Sequence, residues 1–394
     1  MKLLIVGGGS AGWMTAAQFA QNKNFDITLI ESDKIPIIGV GESTWPSIND
    51  FINHVGLTEQ DLFEHCSAVR KYCIQHNGWG KDNKSWLHRF CTDESEEELH
   101  DYHMNQYTVN PRYHSHAYHL DATKLGILCR DKSAIPNGVK HIVDDIIDVT
   151  TDNNGIKEVI GNKSIYTADL YIDCTGFKSL LRSKLGVKYL QHDMLINNCA
   201  IAGPGKYSEG EKILPYTQTF GMSKGWRWRI CLQHRTGNGY AFNTNHITIE
   251  EAKQELIEKA PNIEKDKIFV VPFKNGFNPE PWKQNVVCLG LSCGFLEPLE
   301  ATGIFLVHSS MRLIEKLIDD TDRERKFNKL WTKIYKETSD YIGMFYANGP
   351  YDNEYWNTFR KETTLTIPKV KWTFPDYSYR VLAEAKSFSL IYSE

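Results

Sequence analysis

The chain has 394 residues, with 45 Lys and Arg against 49 Asp and Glu, a net charge of −4, and 41% hydrophobic residues. That balance excludes a disordered chain and gives no electrostatic reason to expect nucleic-acid or membrane binding. The length suits two modules better than one simple core. Nine cysteines, at 66, 73, 91, 129, 174, 199, 231, 288 and 293, form no Cys-x-x-Cys pair, and no stretch is long and apolar enough to span a membrane, so a reducing, cytoplasmic setting is expected.

The opening "KLLIVGGGSAGWMTAAQFAQ" predicts a buried strand from Lys2 to Val6, a glycine turn and a helix, not a signal peptide. Gly7, Gly9 and Gly12 form G-x-G-x-x-G in the strand–turn–helix context that gives the motif meaning. Gly7 permits the tight turn, Gly9 lets backbone approach a pyrophosphate, and Gly12 lets helix pack on strand. Ser10 and Ala11 stand where the free N–H groups of the helix start would meet the phosphates. A second strand, "FDITLIES", brings Glu31 to its end, where a carboxylate accepts hydrogen bonds from ribose hydroxyls and repels a 2′-phosphate. The expected ligand is a dinucleotide carrying adenosine. No second such motif follows a strand, so one dinucleotide is expected rather than a flavin paired with a nicotinamide.

Further along, "TDESEEELHDYHMNQY" (92–107) reads as a solvated acidic segment. His114, His116 and His119 in "RYHSHAYHLD" are spaced invitingly for a metal, but a fourth ligand and supporting partners are not evident, and no metal is expected. The run from 138 to 181 predicts three strands with Asn-Gly turns, closing on "ADLYIDCTGF". "GWRWRICLQH" (225–234) predicts a strand with Trp226 and Trp228 on one face, a rigid, flat aromatic wall, and Arg227 and Arg229 on the other. Last, "NVVCLGLSCGFLEPLEATGIFLVHSSMRLIEKLI" predicts a strand from Val286 to Leu289, a loop with Gly290 and Gly294, and an amphipathic helix from about Gly303. FAD suits these segments better than NAD, because three separated pieces must converge on one extended ligand. The expected fold is α/β (an α+β flavoprotein). In it a Rossmann-like FAD module (about 1–45, 113–184, 276–319) is interleaved with a substrate module of mixed sheet and helices (about 46–112, 185–275, 320–394).

Taken together and in this order, "GGGSAGWMTA", "IPIIGVGESTWPSI", "GWRWRI" and "GFLEPLEATGIF" resemble the flavin-dependent halogenases of the tryptophan halogenase family. The resemblance runs from residue 1 to about 310, with weaker echoes in "DYIGMFYANGPYDNEYW". One departure is Cys231, which stands where the family's Trp-x-Trp-x-Ile-Pro signature has proline. The resemblance implies that FADH2, O2 and a halide generate hypohalous acid, which travels through the interior to a lysine beside an aromatic substrate. It places that lysine at Lys71, able to hydrogen-bond the oxidant or to form a haloamine, and either task requires burial that lowers its pKa. It places Glu300 as the carboxylate that takes the proton or steadies the charge of the halogenated ring, with Glu297 as the alternative. The backbone at Thr302 and Gly303 would bind halide, at the positive end of the following helix.

Flavin contacts are implied at Gly41 and Glu42 in the strap loop, and at Val143, Gly290, Leu291 and Ile304. His88 and Phe90, in "WLHRF", with Trp226 and Trp228, are implied as pocket walls; there the tryptophans discourage direct oxygenation of the substrate. A separate flavin reductase would supply FADH2, and an assembly of like chains stays open. The chain is shorter than typical members between Phe90 and Tyr118 and after Trp356, which points to an open aromatic site accepting several substrates, with bromide or iodide plausible beside chloride. The nearest rival is a flavin-dependent aromatic hydroxylase of the same fold, which needs neither Lys71 nor the anion site; an isoprenoid reductase and a non-catalytic flavin binder fit less well.

Overall fold

The structure, a computed structural model, describes residues 1–35, 42–80, 83–90, 116–186, 188–359, 361 and 364–393. The apolar strand Lys2–Val6 is buried from both faces, as a strand in a parallel sheet covered by helices should be. It lies between Asp26–Glu31 and Leu170–Asp173 in a six-stranded sheet whose order continues to Lys140–Val143 on one side and to Val286–Cys288 and Trp282–Lys283 on the other. All pairings in this sheet are parallel except the last. Neighbours diverge from Lys2–Val6 in both directions, so a crevice forms beyond its carboxyl end, the usual ligand position in such sheets. The chain turns there and enters the helix Ser10–Phe19.

The run from 138 to 181 is more divided than its three expected strands. Lys140–Val143 joins the parallel sheet; Ile146–Asp152, Gly155–Gly161 and Ile165–Tyr166 form a separate antiparallel meander, and Leu170–Asp173 returns to the centre. Only two residues separate the first segment from the second, so the break leaves no turn signature in the sequence. The turn at Asn154-Gly155 does follow its dipeptide, with Gly155 at φ +121°.

A seven-stranded sheet runs in the order Phe269–Pro272, Cys199–Gly205, Thr236–Phe242, Gly225–Cys231, Tyr216–Met222, Cys73–Asn77, Trp86–Arg89. It is antiparallel apart from the pairing of Tyr216–Met222 with Cys73–Asn77. Cys231 stays within the ladder, opposite Thr236, so the strand continues where a proline would have interrupted it. A small antiparallel sheet of Glu42–Ser43, Ala117–Leu120 and Val69–Lys71 carries Lys71 at the end of its last strand. The helices Thr302–Leu317, Arg323–Tyr346 and Asp376–Lys386 bury their apolar faces in a core shared with both large sheets. Among the described residues no helix is long and apolar enough to cross a membrane, and the eight described cysteines are buried and unbridged.

Two lysines lie in this interior. Burial pulls both Lys71 and Lys386 down to about 7, against an ordinary 10.5. Among the described residues, the carbonyl of Asn348 at 3.4 Å and the face of Trp79 at 5.9 Å are what Lys386 has to offset that burial. The unfolded chain binds both protons more tightly than the folded one. The penalty is therefore complete below pH 7 and fades as pH rises toward 10.5, and stability increases across that window. The buried thiols of Cys66 and Cys73, pushed up from 9.0 to about 12, reverse the trend above pH 9. Unfolding free energy should therefore climb between pH 7 and 8.5 by about 1 kcal/mol per unit for each lysine. Thermal or urea melts across that range test this. Lys386→Met should halve the slope and stabilise the protein at pH 7; equal slopes in both proteins would refute the account.

Candidate active site

At the crevice, Gly7 adopts φ +113°, and a Cβ there would sit 2.3 Å from the Cys174 carbonyl oxygen. A Cβ on Gly12 would fall 1.9 Å from the Gly7 carbonyl oxygen. The fingerprint's spacing passes over Gly8, yet a Cβ there would collide with the Glu31 carboxylate at 1.6 Å. Gly9 differs from all three, because among the described residues nothing lies within 4 Å of where its Cβ would be. The first set of glycines serves the protein's own packing; Gly9 keeps open the space a ligand needs.

Ser10 spends its hydroxyl on the Ala122 carbonyl at 2.7 Å, leaving its backbone N–H toward the crevice side of the helix start. Gly290, at φ +66°, brings its loop against Ala11, where a Cβ would lie 2.8 Å from the Ala11 side chain. Glu31 ends its strand opposite Val143, which is partly exposed, and Leu291 is exposed on the facing loop. The Glu31 carboxylate has a partner within the protein, His141, whose Nε2 lies 2.7 Å away. Gly41 lies outside the described residues. An open cradle at Gly9, free helix N–H groups and an acid at the end of the second strand fit an adenosine dinucleotide.

Beyond the crevice a cavity of about 90 Å³ leads inward, lined by Glu42, Trp226, Trp228, Glu300, Gly303 and Ile304 among others. The two indoles share one face of their strand, but the wall is not flat: their rings are 5.5 Å apart and inclined at 49°. Each has its own anchor. Trp226 donates its indole N–H to Glu297 at 2.9 Å, whereas Trp228 packs into the notch left by Gly239, where a Cβ would be 2.0 Å from the ring. Behind them Arg227 lies over Phe220 at 3.6 Å, and Arg229 pairs with Glu211.

Glu300 and Ala301 both occupy the left-handed region, at φ +66° and +57°, a costly pair for residues with side chains. This turn sends the Glu300 side chain one way and starts the helix at Thr302, one residue before the expected Gly303. The preceding residue is alanine, with no side chain to cap the first turn, so N–H groups there await an acceptor. Among the described residues, buried Thr302 Oγ1 has no hydrogen-bond partner, and nothing lies within 4 Å of a Cβ on Gly303. A small anion suits this arrangement.

Lys71 is fully buried, donating to the Thr44 carbonyl at 3.1 Å and lying 4.8 Å over the Phe90 ring. Among the described residues no carboxylate forms an ion pair with it, so burial outweighs the more distant attraction of Glu300 and the amine titrates near 7. Glu300 itself is held by two histidines. His88 Nδ1 meets Oε2 at 2.6 Å, and His76 Nε2 lies 3.0 Å from Oε1, close but out of line for a hydrogen bond. Burial alone would raise the Glu300 carboxyl, yet the attraction of the two imidazoles, His88 foremost, outweighs it and holds the group well below the usual range. His88, read as a pocket wall, has its second nitrogen occupied by Ser378 at 2.8 Å. His76 had no motif to mark it. Its only trace in the sequence is a titratable residue two positions after Ile74, on the buried side of its strand.

Glu297 has partners of its own, accepting from Trp226 and from Asn197 at 2.9 Å each; among the described residues no arginine pairs with it, and burial raises its pKa. The intervening proline and left-handed turn thus separate the two carboxylates. Of the three histidines spaced for a metal, the two described ones have separate partners. His116 bonds Glu59 and Tyr118, His119 bonds the Cys231 carbonyl and Thr217, and His114 lies outside the described residues.

Comparison with known proteins agrees with this geometry. The sequence profile of the tryptophan halogenases matches residues 2–114 and 103–374. The chain is 31% identical over 433 aligned positions to a 7-chloro-L-tryptophan 6-halogenase of Kutzneria sp. (strain 744), covering 93% of this chain and 82% of that protein. Its fold superimposes on a tryptophan 6-halogenase of Streptomyces toxytricini with a TM-score of 0.86 at 26% identity, over 99% of this chain and 91% of the other. A tryptophan C-6 flavin-dependent halogenase (chlorinase) from taromycin biosynthesis gives a TM-score of 0.85 at 28% identity, over 100% and 91%. The chain belongs to the tryptophan halogenase family and is a flavin-dependent halogenase of aromatic substrates.

Proposed function

We propose that the chain uses FADH2, O2 and a halide to halogenate electron-rich aromatic rings of more than one kind, with Lys71 and Glu300 as its working pair. The flavin module comprises about 1–45, 113–184 and 276–319, and the rest holds the substrate. Bound reduced flavin, with O2, supplies the oxidising equivalent that converts halide to hypohalous acid. The backbone N–H groups of Thr302 and Gly303 hold the halide at the helix start, and the Trp226–Trp228 face keeps an aromatic substrate from the flavin side. Lys71 receives the oxidant through its amine. The ring then exchanges a proton for halogen, Ar–H + HOX → Ar–X + H2O, and Glu300 takes the departing proton. The observation that carries this reading is a fully buried lysine on which no carboxylate among the described residues sits, in the same interior as an ionised glutamate.

A lone dinucleotide fingerprint argues for a separate flavin reductase and for flavin held loosely enough to exchange. Breadth follows from the shorter chain: a closed pocket discriminates by leaving its buried polar groups unpaired around a wrong ligand, and an open one has fewer such groups. Assays with FAD, an external reductase and a panel of phenols, anilines and indoles, in chloride, bromide and iodide separately, test the whole reading. Several arenes should react, ortho or para to their donor groups, and NADH without reductase should support no turnover. Conversion of free tryptophan alone, at one ring carbon, would refute the open site.

A further inference from the structure

We propose that His76 and His88 are positioning residues that clamp the Glu300 carboxylate from both sides, committing its charge to two imidazoles and leaving the Lys71 amine unpaired. This rests on the reading of Glu300 and Lys71 as the working pair. Each imidazole is fixed at its far nitrogen by a hydroxyl: Thr219 Oγ1 lies 2.8 Å from His76 Nδ1, and Ser378 Oγ 2.8 Å from His88 Nε2. With those hydroxyls donating, His88 Nδ1–H bonds the carboxylate and His76 Nε2–H lies beside its other oxygen, and the tautomers are set. The His76 ring is further held by stacking on Trp86 at 4.1 Å, and the Trp45 indole N–H donates to the Glu300 backbone carbonyl. The carboxylate thus sits on a strained turn, fixed at its backbone and hydrogen-bonded at Oε2 by His88, with His76 Nε2 3.0 Å from Oε1.

The same three groups resemble a metal donor set, since one ligand atom from each falls within 4.8 Å of the others. The aligned 2.6 Å contact at His88 Nδ1 argues for a proton, because a metal would need that nitrogen's lone pair. The clamp also accounts for Lys71. A carboxylate turned to the lysine would form an ion pair and keep the ammonium charged, unfit to attack an electrophilic halogen. Held by the imidazoles, Glu300 acts on Lys71 only at a distance. Among the described residues, the other titratable groups beside the cluster include Tyr341, near Glu300, Tyr377, whose ring lies 6.4 Å from His88, Cys73, beside Lys71, and Lys386, which disfavours a charged His76.

The experiment uses the full chain with His76→Phe, His76→Gln and Glu300→Gln. Proton NMR of protein labelled with 15N-histidine should reveal a strongly downfield His88 Nδ1–H that Glu300→Gln abolishes, whether or not Glu300 matters to catalysis. His76→Phe should lower halogenated product per flavin oxidised by about tenfold or more, through misplacement of the carboxylate. It should also shift the acid limb of the pH–yield profile upward by about one unit. His76→Gln, which can donate one N–H to the same oxygen, should restore both. Absence of the downfield proton, stoichiometric zinc in the purified protein, an unmoved acid limb in His76→Phe, or no rescue by glutamine at equal thermal stability would each overturn the clamp. Wild-type yield in Glu300→Gln with the downfield proton present in the parent protein would instead remove Glu300 from the chemistry and leave the clamp standing.

Discussion

Lys71→Met should lower halogenated product by about a thousandfold while oxidation of reduced flavin continues, its oxygen now released as hydrogen peroxide. The expectation follows from position. Lys71 ends a strand of the small sheet, with its amine near Thr44 and Phe90, whereas the flavin fingerprint is at Gly7 to Gly12 on the six-stranded sheet. Methionine keeps the length and removes only the amine, and burying it costs nothing in desolvation, so the fold should be at least as stable. Product and peroxide are measured together over a range of pH. In the parent enzyme, product yield should rise as the amine loses its proton near 7, if the free amine is the reactive form. An unchanged yield in Lys71→Met would remove the residue from the mechanism.

The second large effect is expected at Gly9. Its backbone, at φ −71° and ψ −179°, is extended and acceptable to a β-branched residue, and among the described residues no atom lies within 4 Å of the added Cβ. Gly9→Val should therefore fold with thermal stability altered by at most about 1 kcal/mol, the scale of losing a favourable residue at a helix start. Affinity for FAD should fall about a hundredfold, equivalent to about 2.8 kcal/mol, because the side chain fills the space left for the pyrophosphate. Gly12→Val, by contrast, should fail to fold well, since its Cβ would meet the Gly7 carbonyl oxygen at 1.9 Å. Flavin fluorescence titration beside thermal melts separates the two outcomes. Undiminished affinity in Gly9→Val would show that the dinucleotide does not pass over this glycine.

The difference between those two glycines marks how much could be read without a structure. The strand Lys2–Val6, its glycine turn, the following helix and the acid at Glu31 were legible because each depends on neighbours within about thirty residues, where spacing carries geometry. The same holds for the alternation that puts Trp226 and Trp228 on one face. The inclination of those rings was not legible. It depends on Glu297, from beyond the sheet, and on Gly239, from the adjacent strand. Lys71 and Glu300 stood out only through resemblance, since by residue type alone a lysine beside an arginine is usually solvated.

What the sequence determined by itself was the local grammar: a parallel strand with a phosphate-binding turn, an aromatic strand, and an amphipathic helix preceded by a glycine-bearing loop. What only the tertiary structure decided was the electrical state of the site. His76 and His88 come from two neighbouring strands, Glu300 from a left-handed turn more than two hundred residues later, and Ser378 from the final helix. Whether a carboxylate is ionised, or an amine neutral, depends on which dipoles and charges surround it once water has been removed. Those neighbours are assembled by the packing of distant elements, and no spacing along the chain records them.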